Sequence, residues 1–291
     1  MKYGFIGLGN LGRNLATSLV RAGFDVTVHD RDAMPLQGAV WADTPLAVAQ
    51  ACEAVFTCLP SPVASEAVLR SMLPALPGKT WIEMSTLGRD DILRLADLAQ
   101  GVNVLEAPVT GGVHLAASGQ ITVLVGGDLA LLDIHRPALA VMGSKIFHMG
   151  PLGSAALIKV ITNMLAFIHL VADGEALMLA AKGGLDLRQA WEAIRASSGN
   201  SFVHETEGQL ILNGSYDVGF SRDLALKDLG FAMGFGRELG VPLELAGLVQ
   251  SVFVRAKAAY GGAAQSTGVV RLLEEKVGVK LRASGFPARL E

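Results

Sequence analysis

The sequence predicts a two-part α/β protein: a doubly wound, mainly parallel sheet with helices on both faces, then an all-helical region joined through one long helix. Three observations carry that prediction. Short apolar runs alternate with helical patterns over residues 3–150. A glycine-rich turn, G-x-G-x-x-G, joins the first run to the first helix. Over residues 154–182 nearly every side chain is apolar, and beyond them no comparable strand pattern appears.

The elements follow in order. Residues 3–8 are an apolar strand that breaks into Gly7-Leu8-Gly9-Asn10-Leu11-Gly12. A helix over 11–22 stops at Gly23, and an alternating strand, 24–30, ends in Asp30. Strand, glycine triplet, helix, strand and terminal acid form a dinucleotide fingerprint, so the first domain reads as Rossmann-type. The first glycine permits the tight turn, the second lets backbone approach a pyrophosphate, and the third lets helix and strand pack. The phosphates would rest on amides at the helix start. Asp30 lies 18 residues beyond Gly12, where a carboxylate accepts from ribose hydroxyls and repels a 2′-phosphate. That favours NAD as cofactor. Arg31, next in line, could pair with the 2′-phosphate of NADP, or be a solvated loop charge.

Thr44 and Pro45 open a short helix as cap and first residue. A strand over 54–59 runs into Pro60-Ser61-Pro62 and a helix to Met72. Residues 81–84 form a strand ending at Ser85-Thr86, and a helix covers 90–100. Further strands are predicted at 102–106, 121–125 and 146–148. Ligands of such sheets bind beyond the carboxyl ends of the strands, which places Leu59, Pro60, Ser85, Thr86 and the 108–112 segment near cofactor or substrate. Taken singly, each of these residues is also ordinary turn chemistry.

Wound as a helix, residues 154–182 gather Lys159, Thr162, Asn163, His169 and Asp173 within an arc of roughly 120°. The helix alone allows a solvated stripe or the wall of a cleft. Gly183-Gly184 ends it, and helices are predicted at 187–196, 202–212, 223–239, 243–259 and 267–276, followed by a loose terminus after Lys280. The domains read as 1–152 and 153–291. Trp191, Phe202, Phe231 and Phe235 read as core or subunit interface. His114, His135, His148, His169 and His204 show no metal-ligand spacing, and no metal is assigned.

With 51% apolar and 18% charged residues the chain can bury a sizeable core and is not disordered. A net charge of −3 and a pI near 6.1 argue against nucleic acid or an anionic membrane as partner. Lys159, Asn163, His169, Asp173 and Glu175 interrupt the long helix, so no clean apolar window of about 20 residues is left for a membrane span. The high hydropathy points instead to surface buried between subunits, in a homodimer or homotetramer. The cysteines are Cys52 and Cys58, a structural disulfide is not expected, and a reducing compartment fits. With a first strand at Tyr3, no leader is expected and the protein is placed in the cytoplasm.

These segments together resemble the β-hydroxyacid dehydrogenase family, which includes 3-hydroxyisobutyrate dehydrogenase and tartronate semialdehyde reductase. The matching motifs are Gly4-Phe-Ile-Gly7-Leu-Gly9-Asn-Leu-Gly12, Leu59-Pro60, Glu83-Met-Ser85-Thr86, Glu106-Ala-Pro108-Val-Thr110-Gly111-Gly112, Lys159 to Asn163, and Phe220-Ser-Arg-Asp-Leu-Ala-Leu-Lys227-Asp228. They occur in the family's order over almost the whole chain. The resemblance implies that Lys159 is the catalytic proton donor and acceptor, which requires an apolar pocket to bring its pKa down from about 10.4. It implies that Asn163 holds substrate and lysine in register, and that Thr110, Gly111 and Gly112 hold the substrate carboxylate. Thr86 and Lys227 match contacts of the nicotinamide end, Leu59 and Pro60 line the cofactor's path, and Asp228 falls near the substrate pocket.

Four departures stand out. Thr110 replaces a serine and adds a methyl that narrows the site. Glu83 and Glu106 replace aspartates, Thr162 replaces the first of a common Asn-Asn pair, and Arg222 replaces an apolar residue. Arg222 could read a second anionic group on the substrate, or be an exposed arginine at a helix start. The function expected is hydride transfer between NAD (NADP possible) and a small 3-hydroxy acid or its semialdehyde. The alternatives are an imine reductase of similar architecture, against which Lys159 counts, and a non-catalytic dinucleotide-binding scaffold, which would have lost that lysine.

Overall fold

A computed structural model of the chain describes residues 1–290. They divide into two compact units, Met1–Val160 and the remainder from Ile161. In the first unit, β1 (Tyr3–Ile6) turns into α1 (Gly12–Arg21) and returns as β2 (Val26–His29). Then come β3 (Val40–Trp41), α2 (Pro45–Ala51), β4 (Ala54–Thr57), α3 (Pro62–Met72), β5 (Thr80–Glu83) and α4 (Arg89–Leu98). β6 (Asn103–Glu106), β7 (Val109–Thr110), α5 (Val113–Ala117), β8 (Thr122–Gly127), α6 (Leu129–Met142) and β9 (Lys145–Gly150) complete it.

The strands form one sheet in the order β3-β2-β1-β4-β5-β6-β8-β7, with β9 on β8. Neighbours run parallel except β8 against β6 and β7. β1 lies between β2 and β4, the place where the connections reverse direction across the sheet and where such folds leave a crevice for ligands. Every residue of β1, β4 and β5 is buried, because helices cover both faces. Phe5, Leu15, Phe56, Ile82 and Leu139 belong to the core on one face; Ile6, Val55, Leu69, Trp81 and Ile92 belong to that on the other.

The predicted caps form: the Thr44 hydroxyl accepts from Ala47 N–H at α2, and Ser61 accepts from Ala64 N–H ahead of Pro62 at α3. β3, β7, α5 and α6 appear where the sequence predicted no element. The first three are two to five residues long, too short to show a period, and α6 carries Pro137 inside it.

The long predicted helix is α7 (Ser154–Lys182), and the boundary between the units falls inside it, after Val160. α8 (Leu187–Arg195), α9 (Phe202–Asn213), α10 (Arg222–Glu238), α11 (Glu244–Tyr260), a 3₁₀ turn (Ser266–Val270) and α12 (Arg271–Val277) follow. Phe167, Leu170, Leu177, Trp191, Leu229 and Phe253 form the centre of this second core. By length and composition alone α7 could cross a membrane, despite its polar residues. Phe167, Leu170, Leu177 and Met178 of this helix pack into the second core, while 33% of its most apolar window is buried.

Two expectations fail in this unit. The terminus after Lys280 is not loose: Leu281 is fully buried, and Arg282 Nη1 donates to Glu274 Oε1 (2.9 Å) beneath it. Asn213 Nδ2 donates to the Phe286 carbonyl (2.8 Å), and Arg289 pairs with Asp217. Arg222 is not an exposed arginine. It is 1% exposed, donates from Nη1 to the Gly261 carbonyl (3.0 Å) and lies over the Tyr260 ring, which Arg271 also faces. Burial and the Arg271 charge lower its pKa. Trp191 is core, and Phe202 is exposed, where an interface residue would be.

Candidate active site

The glycine turn has the form a dinucleotide requires. Gly7 adopts φ 99°, and a Cβ there would collide with the Cys58 carbonyl; one on Gly12 would collide with the Gly7 carbonyl. A Cβ on Gly9 would meet nothing within 4 Å, so the turn at exposed Gly9 leaves room for a ligand just ahead of α1. These residues fit a bound pyrophosphate. Asp30 closes the turn, for Leu8 N–H donates to its Oδ2 (2.5 Å) and Asp32 N–H to its Oδ1 (3.3 Å). Arg31 points into solvent beside Asp32.

At the ends of β4 and β5 a buried polar chain fixes the residues expected along the cofactor. Trp81 Nε1 donates to Thr57 Oγ1 (2.8 Å), and Thr57 Oγ1 to Glu83 Oε2 (3.0 Å). Ser85 N–H donates to Glu83 Oε1 (2.7 Å), and Leu59 N–H to Ser85 Oγ (2.7 Å). Burial raises the Glu83 pKa against these bonds. Leu59, Pro60 and Thr86 are thereby set at adjacent strand ends. Glu83 was noticed in the sequence only as a departure, and its organising role was not foreseen.

The 110–112 segment runs from β7 into α5. Gly111 and Gly112 adopt φ 128° and 90°, in the left-handed range that favours glycine. The His114 ring lies against Gly112, and burial lowers its pKa; sequence spacing gave no sign of it. Lys159 is 8% exposed in the second turn of α7. The first turn of that helix is tied to the sheet, because Ala155 and Ala156 N–H donate to the two oxygens of Glu106 (2.9 and 3.0 Å).

In the second unit three predicted residues come together. Asn163 Nδ2 donates to Asp228 Oδ2 (2.6 Å), and Lys227 Nζ pairs with Asp228 Oδ1 (3.1 Å). Asp228 is 1% exposed, and the Lys227 ammonium lies over the Phe231 ring. The polar stripe of α7, however, is not one surface. His169 is exposed, while Asp173 is buried and takes His204 Nδ1 on Oδ1 (2.5 Å). The other ring nitrogen of His204 faces the Trp191 carbonyl (2.9 Å), so both nitrogens meet acceptors. Thr162 and Asn163 are half-buried.

Comparisons with known proteins agree along the chain. Residues 2–150 match the family model described as the NAD-binding domain of 6-phosphogluconate dehydrogenase. Residues 153–273 match the one described as NAD-binding of NADP-dependent 3-hydroxyisobutyrate dehydrogenase. The chain is 31% identical to 2-(hydroxymethyl)glutarate dehydrogenase of Eubacterium barkeri, over 97% of each. It is 32% identical to L-threonate dehydrogenase of Cupriavidus necator, over 92% of this chain and 95% of that one. Among solved structures, 3-hydroxyisobutyrate dehydrogenase of Mycobacterium tuberculosis with L-serine superposes with a TM-score of 0.83 at 29% identity, covering 94% of this chain and 98% of that one.

Proposed function

The chain belongs to the hydroxyacid dehydrogenase family built from these two NAD-binding modules, and from that premise we propose that it interconverts a small 3-hydroxy acid and its semialdehyde, with Lys159 as acid/base. The observation that carries the reading is a lysine 8% exposed on an apolar helix, one turn before an asparagine already bonded to a buried aspartate.

Bound NAD(P) supplies the hydride acceptor in the oxidation, and in its reduced form the donor for the reverse. Everything else falls to the chain. The Thr110 hydroxyl and the amides of Gly111 and Gly112 hold the substrate carboxylate. Lys159, as the neutral amine, takes the proton from the hydroxyl as the hydride leaves carbon, and as ammonium returns it in the reduction. Asn163, held by Asp228, keeps the substrate oxygen aimed at that amine. The Thr110 methyl favours a small acyl chain. The Asp30 carboxylate favours NAD over NADP, because a 2′-phosphate there would face a like charge.

Free Cys52 and Cys58 suit a reducing compartment, the cytoplasm. Exposed apolar side chains on the second unit suit a homo-oligomer.

Absorbance at 340 nm during a screen of hydroxy acids with NAD and with NADP tests the reading. Turnover of 3-hydroxy acids is expected, and Lys159→Ala should lower it by roughly 10²- to 10⁴-fold with the fold intact. A folded variant with near-normal turnover would take Lys159 out of the mechanism. Tight cofactor binding with no turnover across the screen would favour a scaffold.

A further inference from the structure

Glu106 is the last residue of β6 and is 2% exposed. A carboxylate so buried needs donors, and it takes them from α7. Ala155 N–H reaches Oε1 at 2.9 Å and Ala156 N–H reaches Oε2 at 3.0 Å. These are amides that a helix start leaves without an intrahelical partner, and the helix dipole favours a negative group at that end. Their neighbours are satisfied otherwise, Ser154 by the Pro151 carbonyl and Leu157 by the Gly153 carbonyl (both 3.1 Å). The carboxylate therefore completes the first turn.

The sheet makes room for this side chain. Gly126 is paired with Glu106 across β6 and β8, and a Cβ on it would collide with Oε1. Its φ lies outside the left-handed range, so space and not backbone conformation explains the glycine. An aspartate at 106 would be shorter by one C–C bond, about 1.5 Å, and would not span the same gap. The longer side chain at 106 thus has its room beside Gly126.

What Glu106 joins is what the proposed chemistry needs. Lys159 lies three and four residues beyond the capped amides, on the same side of the helix. Thr110 lies four residues beyond Glu106 along the chain. We infer that Glu106 is a positioning residue for the reaction: its carboxylate, clamped to the first amides of α7, holds Lys159 in register with the 110–112 loop. The inference rests on the acid/base reading of Lys159. Burial raises the Glu106 pKa against its bonds to the α7 amides, and in its ionised form it also favours the ammonium form of that lysine.

The test compares Glu106→Gln, Gly126→Ala, Lys159→Ala and the double variant Glu106→Gln/Lys159→Ala. Glutamine keeps the length but turns an NH₂ toward a backbone N–H; the alanine methyl pushes the carboxylate off its amides. Each should lower kcat by about 10- to 100-fold with the cofactor KM unchanged. The double variant should be no slower than Lys159→Ala alone. The pH midpoint for acylation of the Lys159 amine by acetic anhydride, read by peptide mass, should fall in Glu106→Gln. That labelling needs no turnover, so it reports on Glu106 even where an active Lys159→Ala has removed the acid/base reading. Losses that multiply in the double variant, or an unchanged midpoint in folded Glu106→Gln, overturn the inference. Should Glu106→Gln not fold, the midpoint in Gly126→Ala decides: a shift supports the clamp, and none overturns it.

Discussion

Asp30 and Glu207 show how much a single carboxylate can decide. Asp30 already has a backbone donor on each oxygen, so its charge is fixed in place where the second strand ends. Asp30→Ala removes a charged acceptor worth about 1.5–3 kcal/mol, so the NAD to NADP ratio of kcat/KM should fall by about tenfold or more. An unchanged ratio would mean that another group reads the ribose. Glu207 is half-buried, accepts from Thr267 Oγ1 (2.9 Å), and its pKa is pushed up to about 7 by burial, with the Asp173 charge adding to it. Burial alone would lower the pKa of nearby His204, but its bonds to Asp173 and the Trp191 carbonyl, with the Asp173 charge, raise it. Both shifts have one sign for stability. Between the unfolded value near 4.5 and about 7 the folded state holds the Glu207 proton more tightly, so stability falls as pH rises. The His204 contribution is full below about 6.5 and is lost as pH climbs through its raised value. The Glu207 and His204 part of the thermal melting curve should therefore fall from pH 5 to 8, against an opposing rise up to about 6.5 from His135, whose pKa burial lowers to about 4. Glu207→Gln should flatten the lower part of that curve, and an undiminished slope would clear Glu207 of it.

Among the elements, legibility followed local pattern. The glycine turn, α2 with its Thr44 cap, α3 with Pro62 and the long α7 were readable because each is specified by residues within a few positions of one another. β3 and β7, at two residues each, were not, since a period needs more residues than that to show. α6 was hidden by Pro137. Lys159 and Asn163 could be singled out from one helix, but the Asn163–Asp228 bond spans 65 residues and the Glu106 clamp 49 and 50, and no periodicity encodes such pairings. The polar stripe of α7 was misread for the same reason, because His204, which takes Asp173 out of it, belongs to α9. So was the terminus. Arg282 and the Leu281 amide both bond Glu274 Oε1 (2.9 and 2.8 Å), and the Glu274 side chain is wholly buried. Removing residues 281–291 leaves that carboxylate short of donors and uncovers the site filled by Leu281. The loss should be about 3–5 kcal/mol, seen as a lower melting temperature of the second unit by circular dichroism. A truncated chain melting with the full one would show that the tail only rests on the surface.

At the scale of the whole molecule the remaining question is what covers the apolar side chains left in solvent. Leu239, Val241, Leu245, Leu248 and Val254 are each more than half exposed, and all lie in or beside α10 and α11. Single exposed leucines need no explanation, but several within 16 residues of sequence give a stretch of surface that water solvates poorly. The net charge of −3 is too small to hold copies of the chain apart. The proposed homo-oligomer accounts for both. Each leucine buried at such an interface contributes about 1.5–3 kcal/mol, and a symmetric dimer contains each one twice. Leu245→Glu/Leu248→Glu should then raise the dissociation constant by 100-fold or more, while leaving the melting transition of the isolated chain close to that of the wild type. Sedimentation velocity distinguishes the cases, with the wild type expected above the 30.4 kDa of one chain and the double variant near it. A wild type that sediments as one chain at micromolar concentration removes the oligomer. An oligomer that survives both glutamates moves its interface off α11, and the same measurement on Leu179→Glu, the most exposed leucine of α7, would then ask whether the long helix supplies it.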